Sequence, residues 1–171
     1  VSAGALVTGG LDFDGVDDTL NTSLVPPSTA TLIGVATWDV EVVSTMIVGA
    51  RDSSDQRSYL SQTSGGVIAL GAADGAIGTD SAVVASTEYL AFGMYSGTDR
   101  EISANSVNKV GSGTGPPANV TYGYNLGSFN DAGTVSGMMN GRIREIIVYP
   151  TDESANRAAI EANINDAYNI F

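Results

Sequence analysis

Four aspartates, Asp12, Asp14, Asp17 and Asp18, crowd one short stretch of the chain. Carboxylates so close in sequence are hard oxygen ligands of the kind calcium takes. In an extended segment, however, neighbouring side chains point to opposite faces, and the EF-hand spacing with its terminal glutamate is absent. The same residues also suit a tight turn at Asp14-Gly15 whose backbone Asp17 and Asp18 hold by hydrogen bonds. The turn reading takes precedence over the calcium reading, and no metal is assigned. A second polar constellation runs from Arg51 to Arg57 and includes Asp52, Ser53, Ser54 and Asp55. Two guanidinium forks in one loop suit a planar carboxylate on a ligand. The plainer reading is a solvated hairpin tip whose charges pair with one another for little net energy. Asn130 and Asp131, ahead of Ala132-Gly133, form a further polar tip that reads first as a turn.

The missing residue types exclude more than the present ones suggest. The 171 residues contain no histidine and no cysteine. There is therefore no imidazole base, no thiolate nucleophile, no disulfide and no zinc site of the common nitrogen and sulfur kind. Seven Lys plus Arg against nineteen Asp plus Glu give a net charge of −12, and Lys109 is the only lysine. That balance argues against a phosphate-backbone footprint, so nucleic acid is not an expected partner. The uncharged stretch from Thr19 to Trp38 carries Pro26, Pro27 and many hydroxyls, which excludes it as a membrane span. No basic start leads into an apolar run, so no signal peptide is expected in this chain. Val1 in place of an initiator methionine suggests trimming or excision from a longer protein.

The elements that must position these residues are short. Twenty-one glycines and abundant Ser, Thr and Asn, with no long amphipathic Glu/Lys stretches, give the texture of many strands and turns. Leu11–Phe13, Thr31–Val40, Ser44–Gly49, Ser58–Gln62, Val67–Leu70 and Arg142–Tyr149 read as strands, with Asp74-Gly75 as a hairpin turn. Thr87–Tyr95 alternates Leu90, Phe92 and Met94 with Tyr89, Ala91, Gly93 and Tyr95. Gly111–Ala118 reads as a loop. Pro150 stops the last strand, Thr151 is placed to cap a helix over about 152–167, and Ile160, Ile164 and Tyr168 form its apolar stripe. About ten short strands and one terminal helix predict an all-β, two-sheet antiparallel sandwich, with the helix packed at one edge or end.

Two segments carry a family resemblance. Leu11-Asp12-Phe13-Asp14-Gly15-Val16-Asp17-Asp18-Thr19-Leu20 resembles the opening hairpin of laminin-G-like, concanavalin-A-like jelly rolls. Asn140-Gly141-Arg142-Ile143-Arg144-Glu145-Ile146-Ile147-Val148-Tyr149 is similar to the family's closing strand. Thr151 to Phe171, with Ile160, Glu161, Ile164, Asn165 and Tyr168, matches the helix that follows it. The resemblance implies one jelly-roll domain over residues 1–171, with strands through residue 149. It further implies a structural role for Glu145, bonded to backbone or to an arginine.

Such jelly rolls commonly bind sugars or proteins as parts of secreted bacterial or phage surface proteins. The resemblance therefore implies a non-enzymatic, lectin-like adhesion module, extracellular or on a virion surface, whose weak sites gain strength by multivalency through an oligomeric parent. The alternative is a structural decoration domain that contacts partner protein subunits and no sugar. A polysaccharide hydrolase is the least favoured reading, because it needs two carboxyl groups at controlled separation, and the six glutamates (41, 88, 101, 145, 153, 161) form no paired-carboxylate strand. No cofactor is expected, calcium being the one open alternative. Sugar recognition stacks an aromatic ring on the apolar side of a pyranose. Trp38, Tyr59, Tyr95, Tyr122 and Tyr124 are candidates for that role, each with core packing as its competing reading. Tyr122-Gly123-Tyr124 is expected to place both rings on one strand face. Arg51, Asp52, Asp55, Arg57 and Asn130 complete the candidate set, with an acidic sugar or a protein carboxylate as their expected ligand.

Overall fold

The computed structural model describes residues 6–7, 9–40, 44–53, 56–73, 75–113 and 120–171. Two sheets face one another. The first runs in the order β1 (Leu6–Val7), β2 (Gly10–Asp14), β15 (Asn140–Tyr149), β4 (Thr29–Trp38), β9 (Glu88–Ser96), β10 (Asp99–Ala104) and β11 (Val107–Ser112). The second runs β14 (Thr134–Ser136), β13 (Phe129–Asp131), β5 (Thr45–Ser53), β6 (Gln56–Gln62), β7 (Val67–Ala72) and β8 (Gly75–Ala82), with β12 (Asn125–Leu126) paired to β5 and to β3 (Leu20–Asn21). Every pairing is antiparallel except that of β13 with β5. The strands outnumber the sequence estimate because β1, β3 and β12 are two-residue pairings too short to show a period.

The core between the sheets is built on Trp38, Leu32, Leu60, Leu70, Ile68 and Tyr95, all at most 1% exposed. Three of its polar side chains are hydrogen-bonded. The Trp38 indole donates to Thr45 Oγ1 at 3.1 Å, and Tyr124 shares a 2.6 Å hydrogen bond with Ser58. The Tyr95 hydroxyl donates to the Pro27 carbonyl at 2.9 Å. Burial, the largest cause, pushes both Tyr95 and Tyr124 above the ordinary phenol range. A phenol whose folded pKa is raised holds its proton after the unfolded chain, at about pH 10, has lost it. The stability these two groups carry is therefore present below about pH 10 and falls as pH rises beyond it. Alkaline titration followed by phenolate absorbance should show Tyr95 and Tyr124 ionising only together with unfolding, and Tyr124→Phe should make that loss less steep.

β4 and β9 are covered on both faces, which explains their nearly unbroken apolar sequence. Their second face packs Ile33, Val35, Leu90, Phe92 and Met94 against Ile164 and the half-buried Ile160 and Tyr168. The helix thus lies on the outer face of the first sheet and not at an edge or end. It also begins later than the sequence spacing suggests. A 3₁₀ turn spans Ser154–Asn156, and α1 spans Arg157–Tyr168. Thr151 does not cap it, since its hydroxyl donates to Glu153 Oε1 at 2.7 Å. Asp152 Oδ1 instead accepts the Ser154 amide and hydroxyl at 3.0 and 2.6 Å.

Three further expectations are revised. The segment from Arg51 to Arg57 is not a long loop, because β5 runs through Ser53 and β6 starts at Gln56. Gly111 and Ser112 belong to β11, while 114–119 fall outside the described residues. Glu145 does not pair with its flanking arginines. Arg144 donates to Glu88 at 2.8 Å and stacks on Tyr168, 4.5 Å from the ring centroid. Among the described residues, no helix is long and apolar enough to cross a membrane.

Candidate functional site

The outer face of the second sheet brings three of the candidate residues, Arg51, Arg57 and Tyr59, together at one end. In the β5–β6 hairpin Arg51 stands opposite Arg57 and Gly49 opposite Tyr59, and in the next pair Tyr59 stands opposite Gly71. Side chains at these positions share the face turned away from the core, because Leu60 and Ser58, their neighbours on β6, are buried inside. Both glycines serve as floors. A Cβ on Gly71 would sit 2.1 Å from Tyr59 Cζ, so the Tyr59 ring lies over the bare backbone of β7. A Cβ on Gly49 would sit 2.5 Å from the Phe129 ring, so Phe129 reaches across β5 in the same way. The two rings meet edge to face, with centroids 5.5 Å apart at 81°.

Charged groups frame the pair. The Arg51 guanidinium is 5.0 Å from the Phe129 centroid, and that of Arg57 is 5.6 Å from the Tyr59 centroid. Asp131, opposite Arg51 in the parallel β13–β5 pair, takes a bidentate contact from it, with Nε to Oδ1 at 2.7 Å. That hydrogen bond holds the Asp131 carboxyl below its ordinary range and the Arg51 guanidinium above its own. Both side chains are about one-third exposed, so the pair orients Arg51 more than it stabilises the fold. Arg57 Nε donates to the Ala73 carbonyl at 2.6 Å.

Tyr122 joins the same end from the connection ahead of β12. Asp52 Oδ2 accepts the Thr121 amide at 2.9 Å and its hydroxyl at 2.7 Å, and Oδ1 accepts the Tyr122 amide at 3.4 Å. Asn130 Nδ2 donates to the Gly123 carbonyl at 2.9 Å, and Asn130 Oδ1 accepts the Gly133 amide at 3.1 Å. Tyr122 is 39% exposed and rests beside Gly133. Asp52 and Asn130 are thus spent on holding the Tyr122 segment. Asp52→Ala is expected to cost about 1–2 kcal/mol in denaturant unfolding and to speed amide exchange at Thr121 and Tyr122, because it deletes the acceptor of two backbone donors.

Arg51, Arg57 and Tyr59 therefore share one face, and Asp52 and Asn130 bind the segment that carries Tyr122, while Asp55 lies outside the described residues. Trp38 and Tyr124 do not join them. Both are core residues, 0% and 1% exposed, and offer no ring to solvent. The expectation that Tyr122 and Tyr124 share a strand face is overturned, since residues 120–124 form no strand and the two-residue period does not operate there. Tyr95 is likewise buried. The sequence reading missed Phe129 and the two floors. Isolated glycines within strands, at 49 and 71, are the signal of close approach that marks them.

The acidic stretch behaves mainly as a turn. Asp14 Oδ1 accepts the Val16 amide at 2.8 Å and Asp18 Oδ2 accepts the Asp14 amide at 3.1 Å. Asp14, Asp17 and Asp18 nevertheless bring carboxylate oxygens within 4.8 Å of one another, the one such group among the described residues, and Asp12 is not part of it.

No known protein family and no curated protein matches the sequence. Solved structures do match the fold. The NanB sialidase of Streptococcus pneumoniae superposes with a TM-score of 0.72 at 13% identity over 88% of this chain, which corresponds to 27% of the sialidase. The CBM40 of the Ruminococcus gnavus IT-sialidase, bound to α2,3-sialyllactose, gives 0.69 at 13% identity over 88% of this chain and 94% of that one. A heptameric SAP-like pentraxin from Limulus polyphemus gives 0.65 at 13% identity, covering 85% of this chain and 77% of its own. At these identities the likeness establishes a concanavalin-A-like jelly-roll sandwich and nothing about ligand. This chain spans little more than a quarter of the sialidase.

Proposed function

We propose that the chain is a single non-catalytic glycan-binding module whose ligand lies on the outer face of the second sheet. The observation that carries this reading is the Tyr59 ring laid over Gly71, with Phe129 at its edge and Arg57 beside it. A ring seated on backbone offers an apolar platform for a pyranose, and the adjoining guanidinium supplies planar donors for hydroxyls or a carboxylate. Two of the seven basic residues of a chain with net charge −12 gather at this face, which favours an acidic sugar. The Ruminococcus gnavus module, with its sialyllactose, is a neighbour of that kind. The glutamates support the non-catalytic reading, because four of the five described ones are engaged by a neighbour. Arg144 holds Glu88, Arg157 holds Glu101 and Glu161, and Thr151 and Asn156 hold Glu153.

The module is displayed outside the cell, on a secreted or virion-surface parent, where several copies turn shallow contact into avidity. A second reading, contact with partner protein subunits, draws on the exposed Leu24 beside a groove lined by Leu126, Ile146 and Val148. The test is a glycan array probed with the chain in multimerised form, with calcium and again with chelator. Binding to acidic glycans supports the proposal, and chelator sensitivity would bring Asp14, Asp17 and Asp18 into the site. Silence under both conditions overturns the glycan reading and leaves the protein-contact one.

A further inference from the structure

The two-residue turn between β10 and β11 faces α1 across a concavity of about 410 Å³ on the far side of the molecule from Tyr59. Its walls include Ala158, Ala162 and Phe171, and its polar lining is Ser106, Glu161 and Asp166, beside Arg157. Arg157 Nε donates to Glu101 Oε1 and its Nη1 to Glu161 Oε2, both at 2.7 Å, and Ser106 Oγ donates to the same Glu161 oxygen at 3.2 Å. Glu161 is 1% exposed, yet its other oxygen, Oε1, has no hydrogen-bond partner. A buried acceptor left unmatched is unfavourable unless something donates to it.

The chemistry of that donor follows from what surrounds it. Glu101, Glu161 and Asp166 set three negative charges against the one positive charge of Arg157, so an anion is repelled. Among the described residues, Glu161 and Asp166 belong to no group of three or more acidic side chains whose oxygens lie within 4.8 Å of one another, so they do not form a cage for a metal ion. The Asn165 carboxamide is already spent on Ile170 and Phe171. What remains is a carboxylate in need of a donor, small aliphatic walls and an aromatic ring, a combination that suits an organic cation. We infer that this pocket binds a primary ammonium group on a short carbon stem, which donates to Glu161 Oε1 while its stem packs on Ala158, Ala162 and Phe171. A protein lysine and an amino sugar both present this group.

This inference does not depend on the glycan reading, and its test uses other probes. The whole chain, isotope-labelled, is titrated with n-butylammonium chloride and separately with n-butanol, following the amides of Ser106, Ala162 and Asp166. Saturable shifts with the amine and none with the alcohol are expected. Nα-acetyl-lysine amide and glucosamine, with N-acetylglucosamine as the uncharged control, then tell a protein source from a sugar source. Glu161→Gln should weaken the amine by about tenfold or more, since a charge-assisted bond is lost. Because that variant alters a buried network, Ala162→Leu on the exposed helix surface serves as the second. It fills the pocket, leaves Glu161 and Arg157 in place, and should abolish the shifts. Equal shifts from n-butanol, shifts that survive Ala162→Leu, or no shifts with any amine would overturn the assignment.

Discussion

Tyr59→Ala is expected to weaken binding to any glycan the array identifies by about ten- to a hundredfold, a loss of about 1.4–2.7 kcal/mol. The ring lies over the bare backbone of Gly71, and removing it takes away an apolar stacking surface and leaves hydrogen-bonding groups that water already satisfies. Position can be separated from presence. In Gly71→Ala the tyrosine remains, but the new Cβ would lie 2.1 Å from its ring, so the ring must swing off the sheet. The same loss of affinity is expected from that variant, measured by calorimetry against the same glycan. Gly65→Ala, at a turn where a Cβ meets only Thr63 Oγ1 at 3.6 Å, is the control and should bind as the parent does. Full affinity in Tyr59→Ala would place the sugar elsewhere, whatever Gly71→Ala does.

The largest effect on stability is expected from Arg157→Met, a loss of about 3–5 kcal/mol. Arg157 bridges Glu101 on β10 and Glu161 on α1, whose side chains are only 10% and 1% exposed. Removing the guanidinium leaves two buried carboxylates with no opposite charge between them, and desolvation makes that far worse than losing a surface pair. The bridge also joins the helix to the first sheet, so the variant should expose the apolar strip of Ile33, Leu90 and Phe92 that α1 covers. Denaturant unfolding followed by circular dichroism checks the magnitude. Lys109, paired with Asp80 at 2.6 Å but largely exposed, is the comparison, and Lys109→Met should cost under about 1 kcal/mol. Equal costs for the two would mean that the Arg157 network is as well solvated as a surface pair.

Much of the framework could be read without coordinates, and particular residues show why. The alternation at Thr87–Tyr95 placed Leu90, Phe92 and Met94 on one face, and these are the residues that meet the helix. Pro150 ended the closing strand where proline lacks an amide to donate. Such signals are local, because strand and helix periods repeat within a few residues. The site was legible only in part. Arg51 and Arg57 were visible as a pair, but their facing register depends on how tightly the hairpin closes.

Residue types and periods alone thus point to an all-β sandwich with a closing helix and to a chain without imidazole or thiol chemistry. Which tyrosines face outward could be settled only by chain pairing. Tyr124 turns inward to Ser58 while Tyr122, two residues earlier, is held outward by Asp52 from β5. The platform itself needs Tyr59 from β6, Gly71 from β7, and Phe129 from β13 over Gly49 of β5. Residues so far apart in sequence meet through register and sheet order, and neither leaves a mark on the local pattern of any one strand.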